Sequence, residues 1–223
     1  MKHAIASIFR IALFSLSVFL FQMAFTRPLS EVMNMSIILG GVSLVFPIVW
    51  VGRIVLEHNR SASGVNWITT FVQFAVGTLL GLGIIRAVVT HSDWSRWVLP
   101  VPPMLGMLLT YVSGAAVVLT VANLALKGLG APFYIVLSRR LAADWMYAWT
   151  RNPMVLASLA CILSLGIWFQ SVMFVLWAVI LFSPALLFFV KMYEERELEL
   201  RFGVSYLQYK SKTPLLFPRR PRA

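Results

Sequence analysis

Long apolar runs separated by short polar segments dominate this sequence and predict a series of membrane-spanning helices. The first four runs cover residues 4–25, 32–56, 67–89 and 104–126. Each is close to the ~20 residues that cross the hydrocarbon core of a bilayer as an α-helix. Pro47 is expected to kink the second run. Arg86, near the end of the third, is expected to extend its charge to the headgroup layer.

A fifth apolar run, residues 154–190, is too long for one membrane helix and predicts a helical hairpin. It is interrupted only at Phe169-Gln170-Ser171, where we place the turn. Because a hairpin returns the chain to the membrane face that it left, Arg151-Asn152-Pro153 and Glu194-Glu195 are expected at the same face. We expect the chemistry of the protein at this polar cluster.

The polar C-terminal part predicts a further, amphipathic helix that begins at Lys191 and ends near Thr213. Apolar and aromatic side chains recur in it at helical spacing and predict one apolar face: Leu198, Phe202, Tyr206 and Tyr209. The segment 127–150, between the fourth run and the hairpin, is basic, aromatic and interrupted by glycine and proline. We predict that this segment lies at the membrane interface.

Composition places the chain in the membrane as a whole. Of its 223 residues, 60% are hydrophobic and 12% are charged, whereas a soluble domain carries about 25% charged residues. The predicted fold class is therefore an all-α polytopic membrane protein of about six transmembrane helices, forming one structural domain. Within it, residues 1–126 are expected to shape a lipid-facing cavity, and residues 127–223 to form the part that carries the site.

The net charge of +11 is distributed as in a membrane protein rather than a nucleic-acid-binding one. With six spans, sixteen of the 19 basic residues fall on the side of the N-terminus and three on the other. Because cytoplasmic loops are enriched in Lys and Arg, we predict that both termini are cytoplasmic. Cys161 is the only cysteine and the three histidines are dispersed, so no metal site is expected.

Two groups of motifs carry a resemblance to a known family. The first contains Gly128-Leu129-Gly130-Ala131-Pro132, Arg140-Leu141, Tyr147 and Arg151-Asn152-Pro153-Met154, and the second is Glu194-Glu195-x-x-Leu198-x-x-x-Phe202-Gly203-x-x-Tyr206-x-x-Tyr209. In order and spacing they resemble the integral-membrane methyltransferases, which include isoprenylcysteine carboxyl methyltransferase and the phospholipid methyltransferases. The resemblance covers roughly residues 127–218 and is to a bacterial-type member, which implies a bacterial inner membrane.

The resemblance implies an S-adenosylmethionine site that opens to the cytoplasm, while a lipophilic substrate enters from the bilayer. It implies that the cofactor is bound by ten residues: Arg139, Arg140, Leu141, Ala142, Tyr147, Asn152, Pro153, Met154, Val155 and Glu194. Arg151 and Glu195 are the candidate catalytic residues, with Glu195 as general base where the nucleophile is protonated.

The chemistry of the cofactor agrees with these residue types. A carboxylate near the membrane face is costly unless it meets a cation, and the cofactor ammonium is a suitable partner for Glu194. Arg139 or Arg140 could pair with the cofactor carboxylate, and Tyr147 offers a π face to the sulfonium. Arg151 alone would also be explained as an anchor at the end of a span.

Departures from the family pattern leave the substrate open. Asn152 stands where the isoprenylcysteine enzymes have histidine, Val155 replaces a tyrosine, Ala157 a glycine and Val190 an arginine. The acceptor could therefore be an isoprenylcysteine-like carboxylate, a phospholipid amine or another membrane-associated small molecule. Two alternatives are an NADPH-dependent membrane reductase of the sterol-reductase type and a non-catalytic scaffold or transport subunit.

Overall fold

The computed structural model describes residues 2–94, 97–127 and 141–220, and within these ranges the chain is almost entirely helical. The helices are α1 (Lys2–Thr26), α2 (Glu31–His58), α3 (Ala62–Val89), α4 (His91–Trp94), α5 (Pro103–Lys127), α6 (Met146–Trp149), α7 (Pro153–Trp168), α8 (Val172–Phe202) and α9 (Val204–Lys212).

Five of these helices, α1, α2, α3, α5 and α8, are long and apolar enough to cross a membrane, and α7 is a shorter apolar helix. The predicted all-α polytopic membrane fold is thus confirmed. The hairpin turn also lies where it was predicted, because α7 ends at Trp168 and α8 begins at Val172.

Proline explains two of the irregularities within the long helices. A proline removes one backbone donor and its ring crowds the carbonyl four residues earlier. In α2 the regular helix is interrupted at Leu44, three residues before Pro47, while the kink itself stays a prediction. In α8 a π-helical stretch, Ala178–Phe182, directly precedes the turn that contains Pro184.

The prediction that a separate polar helix begins at Lys191 is wrong. Helix α8 runs from the apolar region through Lys191 to Phe202 without a break, because backbone hydrogen bonds do not depend on side-chain polarity. The break comes at Gly203, whose φ of 54° is a conformation that glycine adopts at little cost. Helix α9 then ends at Lys212, close to the predicted end.

The described chain forms two compact units. In the first, residues 2–94 with 181–197, α3 packs between α1 and α2. Ser17 and Thr78 share a hydrogen bond of 2.8 Å across the α1–α3 contact. On the other side, an added Cβ at Gly52 of α2 would lie 2.6 Å from Val72 of α3, so only a glycine permits this approach.

Arg86 does not extend to the headgroup layer as expected but is buried in the first unit, with 2% of its surface exposed. Its guanidinium donates to the Asn34 side chain (Nε to Oδ1, 2.9 Å) and to the backbone carbonyl of Arg27 (Nη1, 3.1 Å). A buried charge requires several acceptors, and the end of α1 together with the start of α2 provides them. Arg86 thus joins three helices.

The second unit contains residues 97–127, 141–180 and 198–220 and is built on the pairing of α5 with α7. Thr110 donates from its hydroxyl to Ser164 at 3.0 Å, and Ser113 lies 3.3 Å from the same oxygen. At one end of the pair, Gly106 faces the backbone of Ile167 and Trp168. Small and hydroxyl-bearing residues hold helices together in this way inside membranes.

Candidate functional site

The residues before α7 form a hydrogen-bonded layer with the C-terminal segment, all within the second unit. The backbone N–H of Arg151 donates to the carbonyl of Pro214 at 2.9 Å, and that of Arg219 donates to the carbonyl of Trp149 at 2.9 Å. Two lengths of chain that are far apart in sequence therefore run side by side at the start of an apolar helix.

The Arg151 side chain caps the end of α9. Its Nη1 donates to the carbonyl oxygens of Lys210 at 2.8 Å and Thr213 at 2.7 Å. The last carbonyls of a helix have no partner within the helix, and a cation there also complements the helix dipole. The contacts of this candidate catalytic residue are thus those of a positioning residue, and its catalytic role stays a prediction.

Asn152 holds the same segment one step further along. Its Nδ2 donates to the carbonyl of Leu215 at 3.1 Å, and the Thr150 hydroxyl donates to the same carbonyl at 3.1 Å. Pro153 then opens α7 at a position where a missing backbone donor costs nothing. The Arg-Asn-Pro sequence therefore joins a helix start to a helix end.

A pair of buried tyrosines lies beside this layer. Tyr147 is buried in α6, and the hydroxyl of Tyr209 donates to its backbone carbonyl at 2.6 Å. Tyr206 is fully buried, with its ring centroid 6.2 Å from that of Tyr209. Burial raises the pKa of the Tyr209 hydroxyl above its usual value, so the phenol stays a protonated donor at neutral pH.

A cavity of about 680 Å³ opens next to Tyr209 within the second unit. Leu141 and Ala148 line it together with Gln208, Tyr209 and Lys212, and no carboxylate belongs to its described lining. The cavity therefore offers an ammonium, an amide and a phenol ring to a ligand. Gln208 and Lys212 were not among the predicted site residues, because no spacing in the sequence distinguishes them from other polar residues of α9.

The predicted site residues fall into three groups: those in the second unit, those in the first unit and those outside the described residues. The second unit contains most of them: Leu141, Ala142, Tyr147, Arg151, Asn152, Pro153, Met154 and Val155. Glu194 and Glu195 belong to the first unit. Arg139 and Arg140 lie outside the described residues, as does the glycine-rich part of the first motif.

In the first unit, Glu194 is the last residue of a π-helical turn of α8, Val190–Glu194, and Glu195 directly follows it. Glu194 is half-buried, and Glu195 is 7% exposed. The neighbouring Tyr193 is fully buried, with its hydroxyl 3.2 Å from that of Thr69 on α3. π-Helical turns inside α-helices occur frequently at functional sites, and this one ends at the predicted cofactor ligand.

An ion-pair cluster in the same unit was not predicted from the sequence. Arg196 on α8 donates to both carboxylate oxygens of Glu57 on α2, at 2.8 and 3.0 Å. Arg53 contacts Glu57 at 2.9 Å and donates to the carbonyl of Met192 at 2.8 Å. The cluster fixes the helix turn that carries Glu194 and Glu195 against α2.

Metal ligands are not grouped in the described part of the chain, where no set of three or more His, Cys, Asp or Glu side chains could hold an ion. The imidazoles of His58 and His91 each lie within hydrogen-bonding distance of a backbone carbonyl four and three residues earlier. These local contacts satisfy one ring nitrogen in each case.

Fold and site together define a polytopic all-α membrane protein with a polar layer at the end of a helical hairpin. Residues 101–205 match the family model described as phospholipid methyltransferase. The matched stretch includes Tyr147, the Arg-Asn-Pro sequence, Glu194 and Glu195. The match confirms the resemblance to the integral-membrane methyltransferases and supports methyl transfer at a membrane as the class of activity. No match to a curated protein was found.

Proposed function

We propose that this protein transfers a methyl group from S-adenosylmethionine to a lipophilic, membrane-associated acceptor, with a phospholipid amine as the first acceptor to test. The observation that carries the proposal is the layer formed by Arg151, Asn152 and the C-terminal segment beside the cavity of the second unit. This layer begins inside the stretch that matches the phospholipid methyltransferase family.

The residues around the cavity fit part of this cofactor. Lys212 supplies a cation for a carboxylate, and the ring of Tyr209 supplies a flat surface for an adenine or a sulfonium. The cavity's described lining offers no partner for the cofactor ammonium. We assign that role to Glu194 on the strength of the family resemblance.

The cofactor supplies an already activated methyl group, so the protein has mainly to align the acceptor and to exclude water. Buried Tyr147 and Tyr206 pack around Tyr209, which lines the cavity. Glu195 is proposed to accept the proton of an acceptor that enters protonated, whereas a neutral amine can attack first and lose its proton afterwards. Neither arrangement requires a metal.

The test is a pair of calorimetric titrations of the purified, detergent-solubilised full chain, one with S-adenosylmethionine and one with NADPH. We expect heat of binding from the first only. Replacing Glu194 with Gln removes one charge-assisted contact, which is worth about 1.5–3 kcal/mol, so the affinity is expected to fall by roughly 10- to 100-fold. Glu31→Gln, an exposed carboxylate at the start of α2, is the matched control.

The second arm measures transfer of labelled methyl groups to phosphatidylethanolamine in nanodiscs. Transfer that requires both S-adenosylmethionine and the lipid supports the proposal. Binding of NADPH alone would favour the reductase, and the absence of binding by either cofactor at millimolar concentration would favour a scaffold. Binding of S-adenosylmethionine without methyl transfer would support the proposed cofactor and rule out phosphatidylethanolamine as the acceptor.

A further inference from the structure

The C-terminal segment, residues 204–220, presents apolar side chains to its surroundings. Val204 is 69% exposed, Leu207 52% and Phe217 78%. Val204 and Leu207 belong to α9, in which Tyr206 is buried, so the two exposed side chains lie on a different side of this helix from Tyr206. This side differs from the apolar face predicted from the sequence, of which Tyr206 is buried.

This segment lies beside the start of α7, the first arm of the helical hairpin. Its backbone contacts with Trp149 and Arg151 fix it beside the residues that immediately precede the apolar helix α7. Trp149 is itself about half exposed, and tryptophans at the ends of spans characteristically occupy the headgroup layer. The exposed apolar side chains are therefore within reach of the same layer.

The charge of the segment is of one sign. Residues 204–220 contain Lys210, Lys212, Arg219 and Arg220 and no Asp or Glu. Lys210 is paired with Glu199 at 2.9 Å, whereas Lys212, Arg219 and Arg220 are exposed. Apolar side chains interspersed with basic ones are characteristic of segments that lie in the interface of an anionic membrane.

We propose that the C-terminal segment docks onto the anionic headgroup layer of the bilayer that holds the protein. Val204, Leu207 and Phe217 enter the boundary between headgroups and acyl chains, and Arg219 and Arg220 contact lipid phosphates. Because Arg151 caps this segment, docking also holds the layer beside the cavity in place. The proposal does not depend on which reaction the protein catalyses.

The experiment places a fluorescent label at one position of the full-length protein in nanodiscs. Cys161, the only cysteine, is replaced with Ser, and Leu207→Cys is labelled with an environment-sensitive fluorophore. Val204→Cys provides a second test position, and Ser205→Cys, an exposed residue that lines the cavity, is the matched control. Quenching by lipids with nitroxide groups on their acyl chains is compared in discs with and without phosphatidylglycerol.

We expect quenching at positions 207 and 204 to be at least about twofold stronger than at 205, and to increase when phosphatidylglycerol is present, because basic segments bind anionic surfaces. Replacing Arg219 and Arg220 with Gln is expected to remove this increase. Equal quenching at all three positions would overturn the proposal. Self-quenching between labels in discs that hold two copies, without quenching by lipid, would overturn it in favour of a contact between copies.

Discussion

Arg151 shows how one side chain joins two parts of the chain that the sequence separates. Its guanidinium meets the carbonyls of Lys210 and Thr213, and its backbone meets Pro214. A single cation therefore satisfies the end of α9 and orders the segment that follows. This arrangement favours a positioning role over direct contact with the substrate.

The substitution Arg151→Gln is expected to release the end of α9, because the capped carbonyls lose their donor. Trypsin cleavage after Lys210 and Lys212 should become at least several-fold faster, which can be followed by mass spectrometry of the nicked protein. Arg151→Lys keeps the charge and is expected to protect partly. Arg60→Gln, which removes an exposed arginine of the first unit, is the control. If Arg151→Gln is cleaved after Lys210 and Lys212 no faster than Arg60→Gln, the capping role is contradicted.

Tyr209 lines the cavity, and its hydrogen bond can be tested by a single substitution. Tyr209→Phe leaves the backbone carbonyl of Tyr147 without its 2.6 Å donor, and an unpaired buried polar group costs about 1–3 kcal/mol. We expect a fall of several degrees in the thermal unfolding midpoint. Tyr111→Phe, at a position that is 64% exposed on α5, should leave the midpoint unchanged.

At the scale of helices, the contact of α5 with α7 depends on a glycine. A Cβ added at Gly106 would lie 2.6 Å from the Cα of Trp168 and 2.7 Å from the carbonyl carbon of Ile167. Neither atom can move without moving the helix, so the two helices would have to separate.

We expect Gly106→Ala to destabilise the protein by about 1–3 kcal/mol, as overpacking of a tight contact does. The measurement is thermal unfolding in detergent or nanodiscs. Gly114→Ala, on the same helix, is the matched control, because nothing lies within 4 Å of its added Cβ. In Gly114→Ala the gain in helix propensity should dominate and stabilise the protein by up to about 1 kcal/mol. Destabilisation of equal size in both variants would contradict the role of the contact at Gly106.

Helix positions could be predicted from the sequence where a long apolar run or a turn fixes them. The turn at Phe169-Gln170-Ser171 was predicted because the apolar run is too long for one span and is interrupted only there. The start of a polar helix at Lys191 was not correct, since a change of polarity in the sequence does not end a helix. The backbone conformation at Gly203 does, and the family motif that contains this glycine does not specify its conformation.

At the scale of the molecule, contacts between distant residues were beyond sequence reasoning. Glu57 and Arg196 are separated by 139 positions, and neither has a motif that pairs it with the other. Arg86 was misplaced for the same reason, because its acceptors come from two other helices. The family motifs identified the start of α7, but the contacts that give it structure arise only in the fold.

The distribution of basic residues predicts that both termini face the cytoplasm. The lone cysteine makes this testable, since Cys161→Ser provides a cysteine-free chain. We expect Ser211→Cys to react with a membrane-impermeant maleimide only after cells are permeabilised, and Ser92→Cys, in the exposed part of α4, to react in intact spheroplasts. The opposite pattern would reverse the orientation.

The length of α7 determines how the hairpin can enter the membrane during synthesis. Its 16 residues extend about 24 Å, less than the ~30 Å of the hydrocarbon core, whereas the 31 residues of α8 exceed it. A nascent chain that ends at Trp168 therefore offers the insertion machinery a segment that cannot cross by itself. We expect α7 to become stably inserted only when α8 has emerged from the ribosome, so that the two arms enter the bilayer together.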